Sequence, residues 1–289
     1  MKLAKFKFKD SEPRTLPQIR EHYLLEKRLA KQLKQSSGEE RLNQRLYATL
    51  CDELFREILH HSQLSRPSNT KTEYLISQRV SFLTNVFQED TTFLEIGCGN
   101  GHLTSKVAEK VKKVYAIDVS EELVQALVLP NNVELIISDG IHIPVPESSV
   151  DVAYSHQLIE HLHPDDAVEQ LLAIHRALKP GGVYVCVTPN RLCGPHDVSK
   201  YFDNIATGFH LREYSVSELF KLFRQSGFSK ISLYKIYRKS RIFQLPMTPE
   251  IGHLFKSSEQ VLEQLPVQLR RQLANSPLFF RSITMVGVK

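Results

Sequence analysis

Phe93-Leu94-Glu95-Ile96-Gly97-Cys98-Gly99-Asn100-Gly101-His102 decides the fold of this chain. A short apolar run leads to an acid, three glycines then alternate with other residues, and 103–111 follows with helical spacing. The pattern is a strand, a glycine loop and a helix. Glycine lets such a loop turn tightly and brings its backbone close to a ligand, where a Cβ would collide. The helix that follows turns unpaired N–H groups and a positive end toward whatever the loop holds.

Dinucleotide-binding loops share this plan, but their third glycine comes three residues after the second. Here Gly101 follows Gly99 by two, and His102 stands at the third place. Glu95 precedes the first glycine by two. A carboxylate there repels a pyrophosphate and attracts an ammonium group. The stretch resembles the first motif, acid-x-Gly-x-Gly-x-Gly, of the class I (Rossmann-like) methyltransferases that use S-adenosyl-L-methionine (AdoMet).

Outward from the loop, strands and helices alternate. Strands are expected at 93–96, 114–117, 133–137, 150–154 and 183–187, with helices at 120 onward, 165–178 and 215–226. Lys179-Pro180-Gly181-Gly182 stops the helix before the fifth strand, and Ser215 with Glu218 forms a capping-box pattern. Apolar strands separated by helices imply a parallel sheet covered on both faces. Two more strands are expected at 229–237 and 279–288, with a helical stretch at 248–275 between them. The resemblance makes this an α/β, doubly wound, seven-stranded, mostly parallel sheet with an antiparallel last strand. It makes 238–277 a helical insertion in a domain spanning 73–289.

The front of the chain differs in character. A helix over 17–34 carries Leu25, Leu29 and Leu33, and a stripe of Leu42, Leu46, Leu50, Leu54 and Ile58 continues to His60-His61. These amphipathic pieces need a core to pack on, so 1–72 is expected to form a helical lid on the acceptor side. It holds 15 Lys/Arg against 9 Asp/Glu, while the remainder is nearly balanced. Solvated helix faces account for that excess; attraction to a nucleic acid, an acidic saccharide or a membrane surface is the sharper reading. No run reaches the roughly 18 apolar residues of a membrane span, and 1–9 lacks the apolar centre of a signal peptide. The four cysteines form no Cys-x-x-Cys pair and read as reduced thiols of a cytoplasmic protein.

Ligands of open α/β sheets bind beyond the carboxyl ends of the strands. Strand two ends in Asp118-Val119, suited to ribose hydroxyls and an adenine face. Strand three ends in Asp139-Gly140-Ile141, suited to the adenine amino group, and strand four in Ser155-His156-Gln157. Acids after strands are also ordinary turn formers. With Glu95, Gly97, Cys98, Gly99 and Gly101, these residues are the expected donor site.

The resemblance covers about 90–237 and, weakly, the last strand. It includes Leu158-Ile159-Glu160-His161-Leu162, Leu178-Lys179-Pro180-Gly181-Gly182, Thr188-Pro189-Asn190 and His210-Leu211-Arg212-Glu213-Tyr214. It implies methyl transfer from AdoMet, with a hydroxyl of a small molecule or saccharide as the expected acceptor. A hydroxyl needs a general base. His161, His210 and His156 are the candidates, ahead of Tyr201 and Asp197. Two alternatives stand beside this: methylation of the 3′-terminal ribose 2′-OH of an RNA, and a non-catalytic AdoMet-binding partner protein. Small-RNA enzymes of the former kind carry Glu-x-x-Glu-His and a later His that hold a divalent ion. Here Gln157 replaces the first acid, so no metal is expected.

Overall fold

The computed structural model describes residues 12–61, 64, 70–236, 242–276 and 280–289. The basic tract at 1–9, the linker at 65–69 and the ends of two expected strands at 237 and 279 lie outside these residues. Eight strands form one sheet in the order β3-β2-β1-β4-β5-β8-β6-β7. They are β1 (Thr92–Ile96), β2 (Lys113–Asp118), β3 (Val133–Ile137), β4 (Val150–His156), β5 (Leu178–Pro189), β6 (Ser229–Ile236), β7 (Ile242–Pro246) and β8 (Ser282–Val288). β1 to β5 pair in parallel, and β8 runs antiparallel to β5 and β6.

Alternation along β1 sorts the side chains. Leu94 and Ile96 join the core on one face, with residues of α1 (Leu16–Gln35), α3 (Leu46–Glu57), α7 (Pro164–Ala177) and α8 (Val216–Gln225). Phe93 joins the core on the other face, with residues of α4 (Thr70–Leu83) and α5 (His102–Ala108). β1 thus buries side chains on both of its faces, as the middle of a doubly covered sheet requires, while β3 and β7 at the sheet edges are more exposed. The order also puts the carboxyl ends of β1, β2 and β4 side by side.

Three expectations need correction. The sheet has eight strands, because the stretch read as a helical insertion opens with β7, which pairs antiparallel with β6. A pentapeptide ending in Pro246 reads poorly as a strand, but proline is tolerated on the sheet edge that β7 occupies. The helical stretch after it is two helices, α9 (Pro249–Glu263) and α10 (Val267–Ala274), parted at Pro266. The leucine stripe of the front segment is also broken. α2 (Gly38–Asn43) carries the expected Ser37–Glu40 capping box, but Arg45 then takes a left-handed φ of 47° and re-aims the chain into α3.

Among the described residues, no helix is long and apolar enough to cross a membrane.

Candidate functional site

The glycine loop turns between β1 and α5 with Gly97, Gly99 and Gly101 all at positive φ (75°, 52° and 68°), where side chains are strained. Gly99 leaves open space where a Cβ would stand, so the backbone is bare there. Asp118, at the end of β2, holds the loop: its Oδ2 accepts the Gly99 N–H at 2.8 Å. Its Oδ1 accepts the N–H groups of Val119 and Ser120 at 2.8 and 3.0 Å. Burial pushes this carboxyl up, and the three N–H groups pull the other way. A carboxylate has about four lone-pair sites. Three are taken, so one is left for a ligand hydroxyl rather than a pair.

A cavity of about 160 Å³ lies over this loop. Of the expected donor residues, Gly97, Gly99, Asp118, Val119 and Gly140 line it, and of the expected catalytic ones His156 and His161 do. Tyr47, Cys51, Leu54 and Phe55 of α3 form its other wall. The front helices therefore reach the cavity that the glycine loop lines. Ser120 donates from Oγ to Asp52 Oδ1 on α3 at 2.5 Å. A Cβ on Gly140 would fall 3.2 Å from the Tyr47 ring.

The remaining expected residues are engaged elsewhere. Glu95 lies on the opposite face of β1, where Thr104 donates to its Oε2 at 2.5 Å. Burial raises its pKa to about 8, against the pull of Thr104 and Arg79. Asp139 turns one oxygen to the N–H groups of Ile141 and His142 and the other to the His142 ring at 2.6 Å. Ile141 is buried in the core, as is Cys98 in a smaller cluster. Ser155 shares a hydrogen bond with the Tyr184 hydroxyl at 2.7 Å. Tyr201 donates to Glu12, and Asp197 receives the main chain of Gly208.

The two favoured histidines meet. The rings of His161 and His210 stand edge to face with centroids 4.8 Å apart. His161 Nδ1 lies 3.0 Å from the Phe209 carbonyl oxygen. A carbonyl only accepts, so Nδ1 carries the proton and Nε2 a lone pair. Burial and the nearby His210 hold this imidazole neutral, with its pKa pushed down to about 3. His210 does not line the cavity. Burial opposes its charge, but Glu213, 2.8 Å from Nδ1, with Glu160 and Asp197 raises its pKa to about 9. Glu160 accepts from Thr188 Oγ1 at 3.0 Å, while its Oε1 is buried without a hydrogen-bond partner. One ligand atom each of Glu160, His161 and His210 fits within 4.8 Å.

A second trio was not foreseen. His22 and Glu26 of α1 and His61 beyond α3 also bring ligand atoms within 4.8 Å. Arg14 Nη1 stands 2.8 Å from His22 Nδ1. A guanidinium only donates, so the proton of the neutral ring sits on Nε2, facing Glu26 Oε1 at 2.8 Å. That ring has no lone pair for a cation. Ser138 and Gln170 also line the cavity without a sequence signal to mark them.

Comparison with known proteins fits this arrangement. The family described as "Methyltransferase domain" matches residues 94–186, from β1 to β5. A probable S-adenosylmethionine-dependent methyltransferase of Mycolicibacterium smegmatis is 35% identical over 47% of this chain and 51% of its own. One from Mycobacterium tuberculosis is 30% identical over 52% and 53%. The chain thus spans about half the length of these relatives. A malonyl-[acyl-carrier protein] O-methyltransferase of Priestia megaterium is 26% identical over 71% and 69%. Among solved structures, a SAM-dependent methyltransferase of Archaeoglobus fulgidus superposes with a TM-score of 0.51 at 17% identity, covering 82% of this chain and 99% of that one. A 1,6-didemethyltoxoflavin-N1-methyltransferase of Burkholderia thailandensis, holding S-adenosylhomocysteine, gives 0.50 at 18%, over 84% and 88%.

Proposed function

We propose that this chain, which belongs to the class I AdoMet-dependent methyltransferases, transfers a methyl group from AdoMet to a hydroxyl of a small molecule or saccharide. The observation that carries the reading is the neutral His161, which lines the same cavity as Gly97, Gly99 and Asp118 while the Phe209 carbonyl engages its Nδ1 and so leaves the lone pair on Nε2. The residues fit the donor. Gly99 leaves its backbone bare for close approach, and Asp118 keeps one lone-pair site for a ribose hydroxyl. Val119 offers apolar surface to a base. AdoMet supplies a methyl group already activated on a sulfonium, which leaves as a neutral thioether.

The chain's own task is alignment, exclusion of water and removal of one proton. His161 Nε2 takes the hydroxyl proton as the oxygen–carbon bond forms and the carbon–sulfur bond breaks. A weakly basic imidazole suffices for a late transfer, because the hydroxyl proton turns strongly acidic once its oxygen is alkylated. The Phe209 carbonyl meanwhile keeps the ring oriented. The Priestia relative, an O-methyltransferase by name, supports an oxygen acceptor.

A screen of hydroxylated metabolites and saccharides with methyl-labelled AdoMet tests the proposal. The expected result is label in a methyl ether product, lost at least 100-fold in His161→Ala, with AdoMet affinity within a few-fold of wild type. Label on nitrogen or carbon alone would refute it.

One observation favours a second reading. Glu160, whose Oε1 is unpartnered in the protein interior, clusters with two imidazoles whose Nδ1 atoms are held by the Phe209 carbonyl and by Glu213. Outer partners of this kind accompany metal-bound histidines. A cation there would bind paired hydroxyls, such as those of an RNA 3′ end.

A further inference from the structure

We propose that Glu26, on α1 outside the matched methyltransferase region, is a positioning residue that fixes the tautomer of His161 through the main chain of Phe209. The proposal rests on the reading above only in taking His161 as the group that faces the acceptor. It holds whether Nε2 serves as a base or as a ligand.

The chain of contacts admits one arrangement of protons. Glu26 is 5% exposed, and its Oε2 accepts the Phe209 N–H at 3.0 Å. The carbonyl of the same residue accepts from His161 Nδ1 at 3.0 Å. The two bonds lie on either side of the Phe209 Cα, so the carboxylate sets where the carbonyl stands. His22 stands behind Glu26. Arg14 donates to His22 Nδ1, which leaves the His22 Nε2 proton toward Glu26 Oε1, off the ideal hydrogen-bond direction but only 2.8 Å away.

Gly208 records how tightly this is built. A Cβ there would fall 2.4 Å from Glu26 Oε2 and 2.7 Å from Asp197 Oδ2. Asp197 accepts the Gly208 N–H at 2.9 Å. Two carboxylates, one 11 and the other 183 positions away in sequence, thus grip adjacent N–H groups and hold 208–209 in place. Glu26 also lines the cavity with His161 and Phe209. A residue needed only to anchor α1 has no reason to spend a buried charge on this main chain, since apolar packing does so at lower desolvation cost. The front helices are then part of the catalytic unit rather than a removable cover.

The test needs no acceptor. The full chain is labelled with ¹⁵N-histidine, and two-bond ¹H–¹⁵N correlation spectra report which ring nitrogen of each histidine bears the proton. His161→Gln assigns the signal. In the wild type we expect His161 protonated at Nδ1, with a lone pair on Nε2. In Glu26→Ala that single-tautomer signature is lost to averaging. In Glu26→Gln, whose amide oxygen still accepts the Phe209 N–H, it returns. An unchanged His161 signature in a folded Glu26→Ala protein would overturn the proposal. So would a wild-type His161 protonated at Nε2, which needs no variant to fold. Failure to find a hydroxyl acceptor would sink the reading above and leave this one standing.

Discussion

Arg41 and Asp166 form a buried two-pronged ion pair, Nε to Oδ2 at 2.5 Å and Nη2 to Oδ1 at 2.8 Å, which bolts α2 to α7. Tyr47 Oη adds a third bond to the same carboxylate, at 2.6 Å, and accepts the His163 N–H at 2.8 Å. The roof of the cavity is thus fastened to the domain by charge as well as by leucines. Arg41 is 2% exposed, so loss of its partner strands a buried cation. We expect Asp166→Ala to cost about 3–5 kcal/mol of stability, and Arg41→Met with Asp166→Leu far less, because no charge is then stranded. Urea unfolding measures both. A single-variant loss below about 1 kcal/mol would show the pair to be ornamental.

Asp118 is the residue of the proposed donor site with the most to lose. Asp118→Ala removes the acceptor of three loop N–H groups and the one remaining lone-pair site. A hydrogen bond to a charged group contributes about 1.5–3 kcal/mol, so AdoMet and S-adenosylhomocysteine affinity should fall at least tenfold. Calorimetric titration at constant pH is the check. Wild-type affinity in that variant would remove Asp118 from the donor site.

Legibility of the chain followed the range of the forces involved. Glycine spacing and strand–helix alternation are local, so the loop, β1 to β5 and the acid at Asp118 could be read directly. Glu26 could not. On a helix rich in charge it looks like a solvated residue, and its burial depends on a loop 183 positions away in sequence. Arg41–Asp166 is equally silent, being set by how α2 meets α7. His161 and His210 were readable as strand-end residues, but their proton positions depend on the Phe209 carbonyl and Glu213, which only the fold brings close. Tyr47 was silent too. It lies outside the shared core and off the leucine stripe, yet it packs on Gly140 and lines the cavity beside the glycine loop.

Glu95 makes stability depend on pH. A carboxyl whose pKa is raised in the fold stabilises the protein in full below its unfolded value near 4.5, and the contribution is lost as pH rises through about 8. Glu95→Gln stays neutral throughout. Stabilities of variant and wild type by urea unfolding should therefore converge near pH 5 and diverge by pH 9, the variant gaining up to roughly 5 kcal/mol. If Glu95 also meets the ammonium end of AdoMet, the same variant binds the donor less tightly. A variant less stable than wild type at pH 9 would show that the Thr104 bond outweighs the buried charge.

The choice between a proton-accepting His161 and a metal-binding trio turns on His210. Glu213, Glu160 and Asp197 surround it and hold it protonated through neutral pH, despite its burial. An imidazolium has no lone pair to offer a cation. Gln157, at the place where a further acidic ligand would stand, is neutral and keeps a left-handed φ of 53°. A hard divalent ion depends on ligand charge, and Glu160 alone supplies little of it. Glu160 is itself pushed by burial to about 7, so it is only partly ionised where the enzyme would work. We therefore expect purified protein to carry no stoichiometric metal, and a chelator to change methyl transfer less than twofold. His210→Ala should lower turnover by roughly tenfold or more, because it leaves Glu160 and Glu213 without their cation, while AdoMet affinity stays nearly constant. If instead the chelator abolishes transfer and Mn²⁺ restores it, the trio is a metal site and ligand exchange has displaced the His210 proton. Paired hydroxyls at RNA 3′ ends would then become the first acceptors to try.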